Sequence, residues 1–229
     1  MSLLEKFKEA LSALMGDYSK GKFLLAVSGG KDSMVLMHLC HEAKLQAEVA
    51  HVNYGFRPGE CDSEEELVRR QSEAFNFPFH VKCFGGKQAL KGNLQAEARD
   101  FRYAFFDELL KERNLDFVLT AHHCKDQAET FLMRLIAGSD FFDLTGIPAK
   151  RGKILRPMLR FLPNEIDTLV NQWGVSFRED SSNHSLDYQR NRIRHLCVEP
   201  MQKSDPIPLS TWLEWQIFMP VSKGCLSIS

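Results

Sequence analysis

The sequence has no long apolar run and no closely paired cysteines. None of its hydrophobic stretches reaches the ~18 residues that a membrane-spanning helix needs, and its first residues lack the basic start and apolar centre of a secretion signal. Its six cysteines are scattered without a C-x-x-C pair, which argues against a zinc finger or a disulfide framework. We therefore expect a cytoplasmic protein with reduced thiols and no membrane contact.

The sequence also lacks an excess of charge of either sign. Its formal net charge is -1 at pH 7, so bulk electrostatics would not hold nucleic acid. The charge is nevertheless uneven, because residues 149–203 contain ten lysines and arginines against six aspartates and glutamates. Such a stretch is commonly a solvated basic face; the alternative is an edge that contacts phosphates.

A glycine turn is the most informative feature that the sequence does contain. Residues 23–33 read FLLAVSGGKDS and lead into a second apolar segment, which predicts a strand, a turn and the start of a helix. Glycines let the backbone approach a ligand closely, and a helix start presents unpaired N–H groups to an anion. The spacing matches neither a P-loop nor a dinucleotide fingerprint. The predicted phosphate-binding residues are Ser28, Gly29, Gly30, Lys31, Asp32 and Ser33.

Strand-like and helical segments alternate along the chain. Residues 47–55, 79–84 and 117–123 are strand-like, and helical patterns lie between them. Such alternation is typical of an α/β fold with a doubly wound, mostly parallel sheet and helices on both faces. Ligands of this fold class bind at the carboxyl ends of the strands, where the glycine turn also falls.

Local patterns predict where several helices begin and end. Capping boxes predict helix starts at Ser63 and Asp126, and Asn93 is a candidate cap for a third helix. Gly138 is expected to end the helix that follows Asp126.

Carboxylates near the glycine turn indicate a magnesium ion. Asp32 would repel a bare nucleotide unless a cation lay between them, and Mg²⁺ favours one or two carboxylates together with phosphates and waters. Asp32 and Asp126 are the candidate metal ligands. For Asp126 the alternative is a purely structural helix cap, and the two roles are compatible.

Histidines and arginines provide further candidates. His122, His123, Asp126 and Glu129 could form a transition-metal cluster, but adjacent histidines at a strand end would point to opposite faces. One could then contact a nucleotide while the other packs in the core. Arg99 and Arg102 share a helical face and either bind an anion or are simply solvated. His51 is expected to be a core or loop histidine without a catalytic role.

The glycine turn resembles the SGGxDS loop of the N-type ATP pyrophosphatases, which cleave ATP between its α and β phosphates. Further segments over residues 23–195 resemble the tRNA(Ile)-lysidine synthetase branch of that family. They are HVNYGFR (51–57), NLQAEARDFRYAFF (93–106), TAHHCKDQAET (120–130), LTGIP (144–148), ILRPML (154–159), EDSSN (179–183) and YQRNRIRH (188–195).

The resemblance implies an adenine nucleotide alpha hydrolase-like fold and a two-step reaction that uses ATP and Mg²⁺. The wobble cytidine of tRNA(Ile) is adenylated, and free lysine then displaces AMP to give lysidine. In that reaction Asp32, Asp126, Glu97 and Arg99 would be catalytic, and Asp126 or Glu97 would take the proton of the lysine amine. The residues implied to bind lysine, the adenylate or the tRNA are Glu97, Arg99, Arg102, His123, Arg190, Asn191, Arg192 and Arg194.

The sequence departs from the family pattern in three places. Lys125 stands where a second acidic residue is usual, and Tyr54 stands where histidine is usual. We expect a catalytic domain over residues 1–185 and a linker with a short tail over 186–229, in place of the family's helical tRNA-binding domains. The tail after His195 shows no convincing helical periodicity, so tRNA binding is expected to be weak unless the tail or a second copy in a homodimer adds contacts.

Two other classes of function remain open at this stage. One is another N-type pyrophosphatase, such as a tRNA thiolase or an amide-forming synthetase; Cys124 near the site keeps thiolation open although no C-x-x-C is present. The other is a nucleotide-binding or tRNA-binding module that does not catalyse.

Overall fold

The computed structural model describes residues 1–56, 59–85, 94–139, 146–178 and 189–204. The helices are α1 (Leu3–Met15), α2 (Lys31–Glu42), α3 (Glu60–Ala74), α4 (Leu94–Glu112), α5 (Cys124–Ile136), α6 (Pro163–Trp173), α7 (Gln189–Ile193) and α8 (Glu199–Ser204), with a π-helical segment (Arg194–Val198) between the last two. The strands are β1 (Lys22–Ala26), β2 (Gln46–Asn53), β3 (Phe79–Cys83), β4 (Phe117–Leu119), β5 (Lys150–Arg151) and β6 (Ile154–Leu155).

The strands form one sheet in the order β3-β2-β1-β4-β6-β5. All neighbouring pairs are parallel except β5 with β6. The chain runs outward from β1 to β2 and β3, and then returns to place β4 on the other side of β1. The glycine turn follows β1 and therefore lies where the strand order reverses, which is the usual ligand position in a doubly wound sheet.

Both faces of the central strand are covered. Leu24 packs in a cluster with α4 residues such as Phe105 and Leu109. Its neighbours Phe23 and Leu25 point to the opposite face, since side chains alternate along a strand, and both are fully buried as well. The prediction of a mostly parallel α/β sheet with helices on both faces is confirmed.

The chain forms two compact units. Unit 1 consists of Met1–Ala121, Ala149–Met158 and Asn164–Asp180, and it contains the sheet. Unit 2 consists of His122–Pro148, Leu159–Pro163 and Ser181–Ser229; α5, α7, the π-helical segment and α8 belong to it. The boundary expected between residues 185 and 186 falls outside the described residues and stays a prediction.

Two predicted helix starts are wrong by a few residues. Helix α3 begins at Glu60 after Gly59, whose φ of 86° suits glycine, and Ser63 only donates a hydrogen bond to the Gly59 carbonyl. Helix α5 begins at Cys124 with His123 as its cap. The predicted strand over residues 117–123 ends at Leu119, so the expectation that adjacent histidines point to opposite faces of a strand is also wrong.

Other local predictions have mixed outcomes. Gly138 has a φ of 70° directly after the capping residue of α5, which confirms it as the helix end. Residues 196–204 are helical, so the expectation of a tail without helix is wrong for that part. Asn93 and the chain beyond residue 204 lie outside the described residues. Among the helices that the structure describes, none is long and apolar enough to cross a membrane.

Candidate functional site

The glycine turn of unit 1 is shaped by the conformations of its two glycines. Gly29 has a φ of 92°, and a Cβ added there would lie 3.4 Å from the Glu64 Cβ and 3.5 Å from a Val68 methyl group. Gly30 caps α2 and has no side chain to bond the first-turn N–H groups. Those donors therefore face outward at the positive end of a twelve-residue helix, which is the arrangement that binds phosphate.

The two serines hold the turn together through their hydroxyls. The Ser33 hydroxyl donates to the Gly30 carbonyl at 2.8 Å and accepts from the Ser28 N–H at 3.2 Å. The Ser28 hydroxyl lies 3.2 Å from that of Ser33 and accepts from the Gly30 N–H at 3.3 Å. These bonds fix the turn before any ligand binds.

Lys31 and Asp32 bring opposite charges to the same helix start. The Lys31 ammonium pairs with Asp167 of α6 at 2.6 Å, and both side chains are substantially exposed. An exposed pair of this kind contributes little stability, so Lys31 can exchange its partner for a phosphate at small cost. Asp32 lies in the first turn of α2 and is only partly buried.

Neighbouring elements position the turn. His51 of β2 is 1 % exposed and its Nδ1 donates to the Val27 carbonyl, just before the turn, at 2.9 Å. Burial lowers the pKa of His51, so its ring stays neutral. The Arg178 N–H donates to the Gly29 carbonyl at 3.0 Å. His51 is thus a core histidine, one of the two positions expected for it, but sequence reasoning missed that its ring orients the segment before the turn.

Three arginines surround the ring of Tyr103 on α4. The guanidinium carbons of Arg99 and Arg102 lie 5.1 and 5.7 Å from the ring centroid, and Arg156 hydrogen-bonds to Tyr103. Burial lowers the pKa of Arg156, and the charges of Arg151 and Arg99 lower it further. Within the described ranges, neither Arg99 nor Arg102 forms an ion pair with a carboxylate.

Arg99 and Arg102 favour an anionic ligand, because no carboxylate of the described residues forms an ion pair with either guanidinium. Sequence reasoning identified Arg99 and Arg102 but missed Arg156. The one available signal was an arginine within the apolar segment ILRPML, since a buried arginine normally needs a polar or anionic partner. Glu97 lies in the first turn of the same helix and is partly buried.

In unit 2, Asp126 completes the N-terminal cap of α5. Its carboxylate accepts from the His123 N–H at 2.8 Å and from Arg190 at 2.9 Å. Burial by itself would raise the pKa of Asp126, but the charges of His123 and Arg190 outweigh it and lower the pKa. His123 is 8 % exposed, and its Nδ1 accepts from the Lys125 N–H at 3.3 Å. Both predicted site residues thus have a capping role as well.

Glu129 is the buried centre of the ionic contacts in unit 2. Its side chain is 0 % exposed and accepts from the Arg190 Nε and the Arg194 Nε, each at 2.6 Å. These contacts tie α5 to α7 and the π-helical segment. Two of the four residues predicted to lie near tRNA, Arg190 and Arg194, are therefore engaged inside the protein, whereas Arg192 is exposed.

Lys125, the departure from the acidic residue usual in the family, pairs with Glu199 of α8 at 2.9 Å. Glu199 also lies 3.1 Å from His195. The alternative of a transition-metal cluster, which the sequence disfavours, gets no support, since no group of three or more His, Cys, Asp or Glu side chains in the described part of the chain is arranged to hold a metal ion. The predicted phosphate-binding residues come together in unit 1, and Asp126 with His123 belongs to unit 2.

Comparison with curated proteins shows sequence similarity to tRNA(Ile)-lysidine synthases. The enzyme of Lactococcus lactis subsp. lactis (strain IL1403) is 39% identical over 193 residues, which cover 81% of this chain and 43% of the relative. That of Streptococcus equi subsp. zooepidemicus (strain H70) is 40% identical over 191 residues, covering 80% and 42%. The chain spans less than half the length of these curated relatives.

Two solved structures share the fold at low sequence identity. The U34-tRNA thiolase NcsA from Methanococcus maripaludis has a TM-score of 0.72 at 18% identity, covering 93% of this chain and 76% of that one. An NH3-dependent NAD synthetase from Campylobacter jejuni subsp. jejuni has a TM-score of 0.51 at 15% identity, covering 97% and 96%. A family model of the PP-loop domain matches residues 3–200. The chain belongs to the PP-loop family of ATP-binding domains.

Proposed function

We propose that this chain catalyses the ATP-dependent formation of lysidine on tRNA(Ile). The observation that carries the proposal is the preformed phosphate turn of unit 1, in a chain whose similarity to tRNA(Ile)-lysidine synthases extends over 81% of its length. In the first step the C2 oxygen of the wobble cytidine attacks the α phosphate of ATP, and pyrophosphate leaves. In the second step the lysine amine attacks C2, the C2–oxygen bond breaks, and AMP leaves with that oxygen.

The first step requires negative charge to be stabilised on the departing pyrophosphate. The outward N–H groups of the first turn of α2 and the Lys31 ammonium are placed to do this, because they need no reorganisation other than release of Lys31 from Asp167. Ser28 and Ser33 keep the turn in its binding conformation. The residues from Ser28 to Ser33 would therefore hold the phosphates of ATP.

Asp32 fits a magnesium ion, since its carboxylate lies in the first turn of α2, beside the donors that would hold phosphate. When bound, Mg²⁺ would neutralise charge on the phosphate oxygens. Asp126 is a weaker candidate because its oxygens already accept from His123 and Arg190; it keeps lone pairs for a cation, since an ionised carboxylate has about four acceptor positions.

The second step needs a site for free lysine and a base for its amine. Arg99 and Arg102 supply positive charge for the lysine carboxylate or the adenylate phosphate. Glu97 or Asp126 would take the amine proton before attack. His123 would contribute through its position at the start of α5, next to Asp126.

Few of the described residues are candidates for contacts with tRNA. Arg192 is exposed at the surface of α7, and Asn191 is partly exposed beside it, so both are candidates for phosphate contacts. Arg190 and Arg194 would contact tRNA only through guanidinium N–H groups that are not used in their pairs with Asp126 and Glu129. A homodimer would double the available contacts. As a tRNA-modifying enzyme with bacterial relatives, the protein would act in the cytoplasm.

The test is incorporation of radiolabelled lysine into tRNA(Ile) by the full chain, with ATP, and with AMP release measured in parallel. We expect incorporation by the wild type and its loss in Asp32→Asn, with folding unchanged. Asp107→Asn, which alters an exposed carboxylate on α4, is the matched control and should keep full activity. Release of AMP without lysine incorporation would contradict the lysidine assignment.

Thiolation is disfavoured by the position of Cys124. That thiol is 0 % exposed and packs against Ala128, Ile193 and Val198, so it serves the packing of unit 2. Cys124→Ser should therefore leave lysine incorporation intact. Transfer of sulfur to tRNA that disappears in this variant would instead support a thiolase.

A further inference from the structure

We propose that an aromatic ledge at the carboxyl edge of the sheet, formed by Tyr54, Phe56, Phe84 and Phe101, binds an unpaired base of single-stranded RNA by stacking. The inference rests on the proposed function in one respect only, which is that the RNA is taken to be the anticodon loop beside the reacting cytidine.

The ledge lies where substrates bind in this fold. Tyr54 and Phe56 follow the end of β2, and Phe84 follows the end of β3. Both strands are parallel to β1, so their carboxyl ends share the edge of the sheet that carries the glycine turn. Phe101 reaches this edge from α4.

The four rings form one connected cluster. Tyr54 and Phe56 stack with centroids 5.4 Å apart and an interplanar angle of 15°. Phe84 contacts Phe56 edge-on at 5.8 Å and Phe101 at 5.0 Å. A further planar group can stack on an existing pair of stacked rings, because offset stacking of aromatic rings is favourable.

Packing of the protein core does not account for the whole ledge. Tyr54 and Phe101 pack against the buried cluster around Leu24, so a structural role is sufficient for them. Phe56 and Phe84 instead contact other rings of the ledge and remain partly exposed. By contrast, Phe105 and Phe106 of α4 are 5 % and 3 % exposed, as expected for aromatic side chains with a purely structural role.

Positive charge lies directly beside the ledge. Arg102 hydrogen-bonds to the Tyr54 hydroxyl and also lies over Tyr103, as does Arg99. Partly exposed rings lie here next to guanidinium groups that form no ion pair with a carboxylate of the described residues. This is the combination that binds single-stranded nucleic acid, with the base on the ring and its phosphate on the cation. The ledge thus selects an unpaired base, since a base within a duplex has no free face.

The experiment measures binding of a fluorescein-labelled single-stranded oligoribonucleotide to the full chain, with ATP binding measured separately. We expect Phe56→Leu to weaken RNA binding about tenfold and to leave ATP binding unchanged. Phe56→Tyr, which keeps the ring, should restore RNA binding. The matched control is Phe75→Leu, which removes a partly exposed ring stacked on His41 at 4.0 Å and should bind RNA as the wild type does.

Equal RNA binding by the wild type and Phe56→Leu would overturn the proposal, as would an equal loss in Phe75→Leu. Equally tight binding of a duplex form of the oligoribonucleotide would also overturn it. Lysine incorporation is assayed on the same variants, so the two proposals fail separately. If Phe56→Leu weakens RNA binding but neither the wild type nor any variant incorporates lysine, the lysidine assignment is wrong and the proposal of an RNA-binding ledge is supported.

Discussion

Four of the five arginines that the sequence predicts to contact substrate fall into two pairs with opposite surroundings. Arg99 and Arg102 of α4 lie over an aromatic ring and form no ion pair with a carboxylate of the described residues. Arg190 and Arg194 both bond to the fully buried Glu129, and Arg190 also bonds to Asp126. The same residue type is therefore proposed to bind ligand in unit 1, whereas in unit 2 it ties α7 and the π-helical segment to α5.

The difference follows from charge balance. A guanidinium whose charge is matched inside the protein has little to gain from an external anion, whereas an unmatched one gains the full interaction. Substrate contacts should accordingly depend on the α4 arginines, and the free energy of unfolding should depend on the arginines around Glu129.

The largest effect is expected from Glu129→Ala, which removes the carboxylate shared by two guanidinium groups. The free energy of unfolding should fall by about 3 kcal/mol, because breaking a buried ionic contact leaves its partners without compensation. Chemical denaturation measures this change. Asp100→Ala, which removes an exposed carboxylate of α4, is the control and should change stability by less than ~0.5 kcal/mol. A similarly small change in the free energy of unfolding for both variants would show that Glu129 does not stabilise the protein.

The next effect concerns catalysis. Arg102→Gln should lower kcat/KM for ATP-dependent AMP formation about tenfold or more, since a hydrogen bond to a charged group contributes about 1.5–3 kcal/mol. Its unfolding free energy should fall by no more than about 1 kcal/mol, because only the hydrogen bond to Tyr54 and the contact with Tyr103 are lost and no ion pair with a described residue is broken. Arg70→Gln, which breaks an exposed pair with Glu66 on α3, should keep full activity. A loss of stability without a loss of activity in Arg102→Gln would reverse the assignment.

A smaller effect is expected for the pair of Lys125 and Glu199. Their side chains are 20% and 32% exposed, so a double-mutant cycle with Lys125→Ala and Glu199→Ala should give a coupling free energy below ~1 kcal/mol. A coupling of several kcal/mol would show that the attachment of α8, and not Glu129, dominates the stability of unit 2.

The smallest effect is a dependence on pH. Burial alone would raise the pKa of Glu199, but hydrogen bonds from Lys125 and His195 outweigh it and lower the pKa. A carboxyl group with a lowered folded-state pKa stabilises the protein above its unfolded pKa of about 4.3, and this contribution is lost as pH falls through the folded value. Stability measured from neutral to acidic pH should therefore decline less in Glu199→Gln. An identical decline in both proteins would show that Glu199 has no part in it.

The features predicted correctly from the sequence are those that depend on neighbouring residues. The glycine turn, the alternation of strands and helices and the burial of His51 all follow from local pattern. The predicted starts of α3 and α5 are wrong because Gly59 and His123 cap these helices. Glycine has no capping side chain, and the capping box that His123 forms with Asp126 differs from the usual signature, which begins with serine or threonine.

The contacts that the sequence did not predict join residues far apart in the chain. Arg190 and Glu129 are separated by 61 positions, and nothing local to either residue indicates the pair. Arg156 and Tyr103 likewise meet only in the folded chain, because α4 packs against the sheet to which β6 belongs. Residue type and spacing therefore predicted which residues are candidates for the site. Which of these residues form ion pairs within the protein depends on the tertiary structure and could not be predicted from the sequence.

The division of labour between the two groups of arginines is tested most directly by measuring four single variants for both properties. They are Arg99→Gln, Arg102→Gln, Arg190→Gln and Arg194→Gln, each assayed for kcat/KM of ATP-dependent AMP formation and for the free energy of unfolding. We predict that the α4 variants lose activity and keep stability, and that the Arg190 and Arg194 variants lose stability. Contradiction would come from Arg190 and Arg194 variants that are as stable as the wild type but inactive, or from α4 variants that unfold more easily and turn over ATP normally.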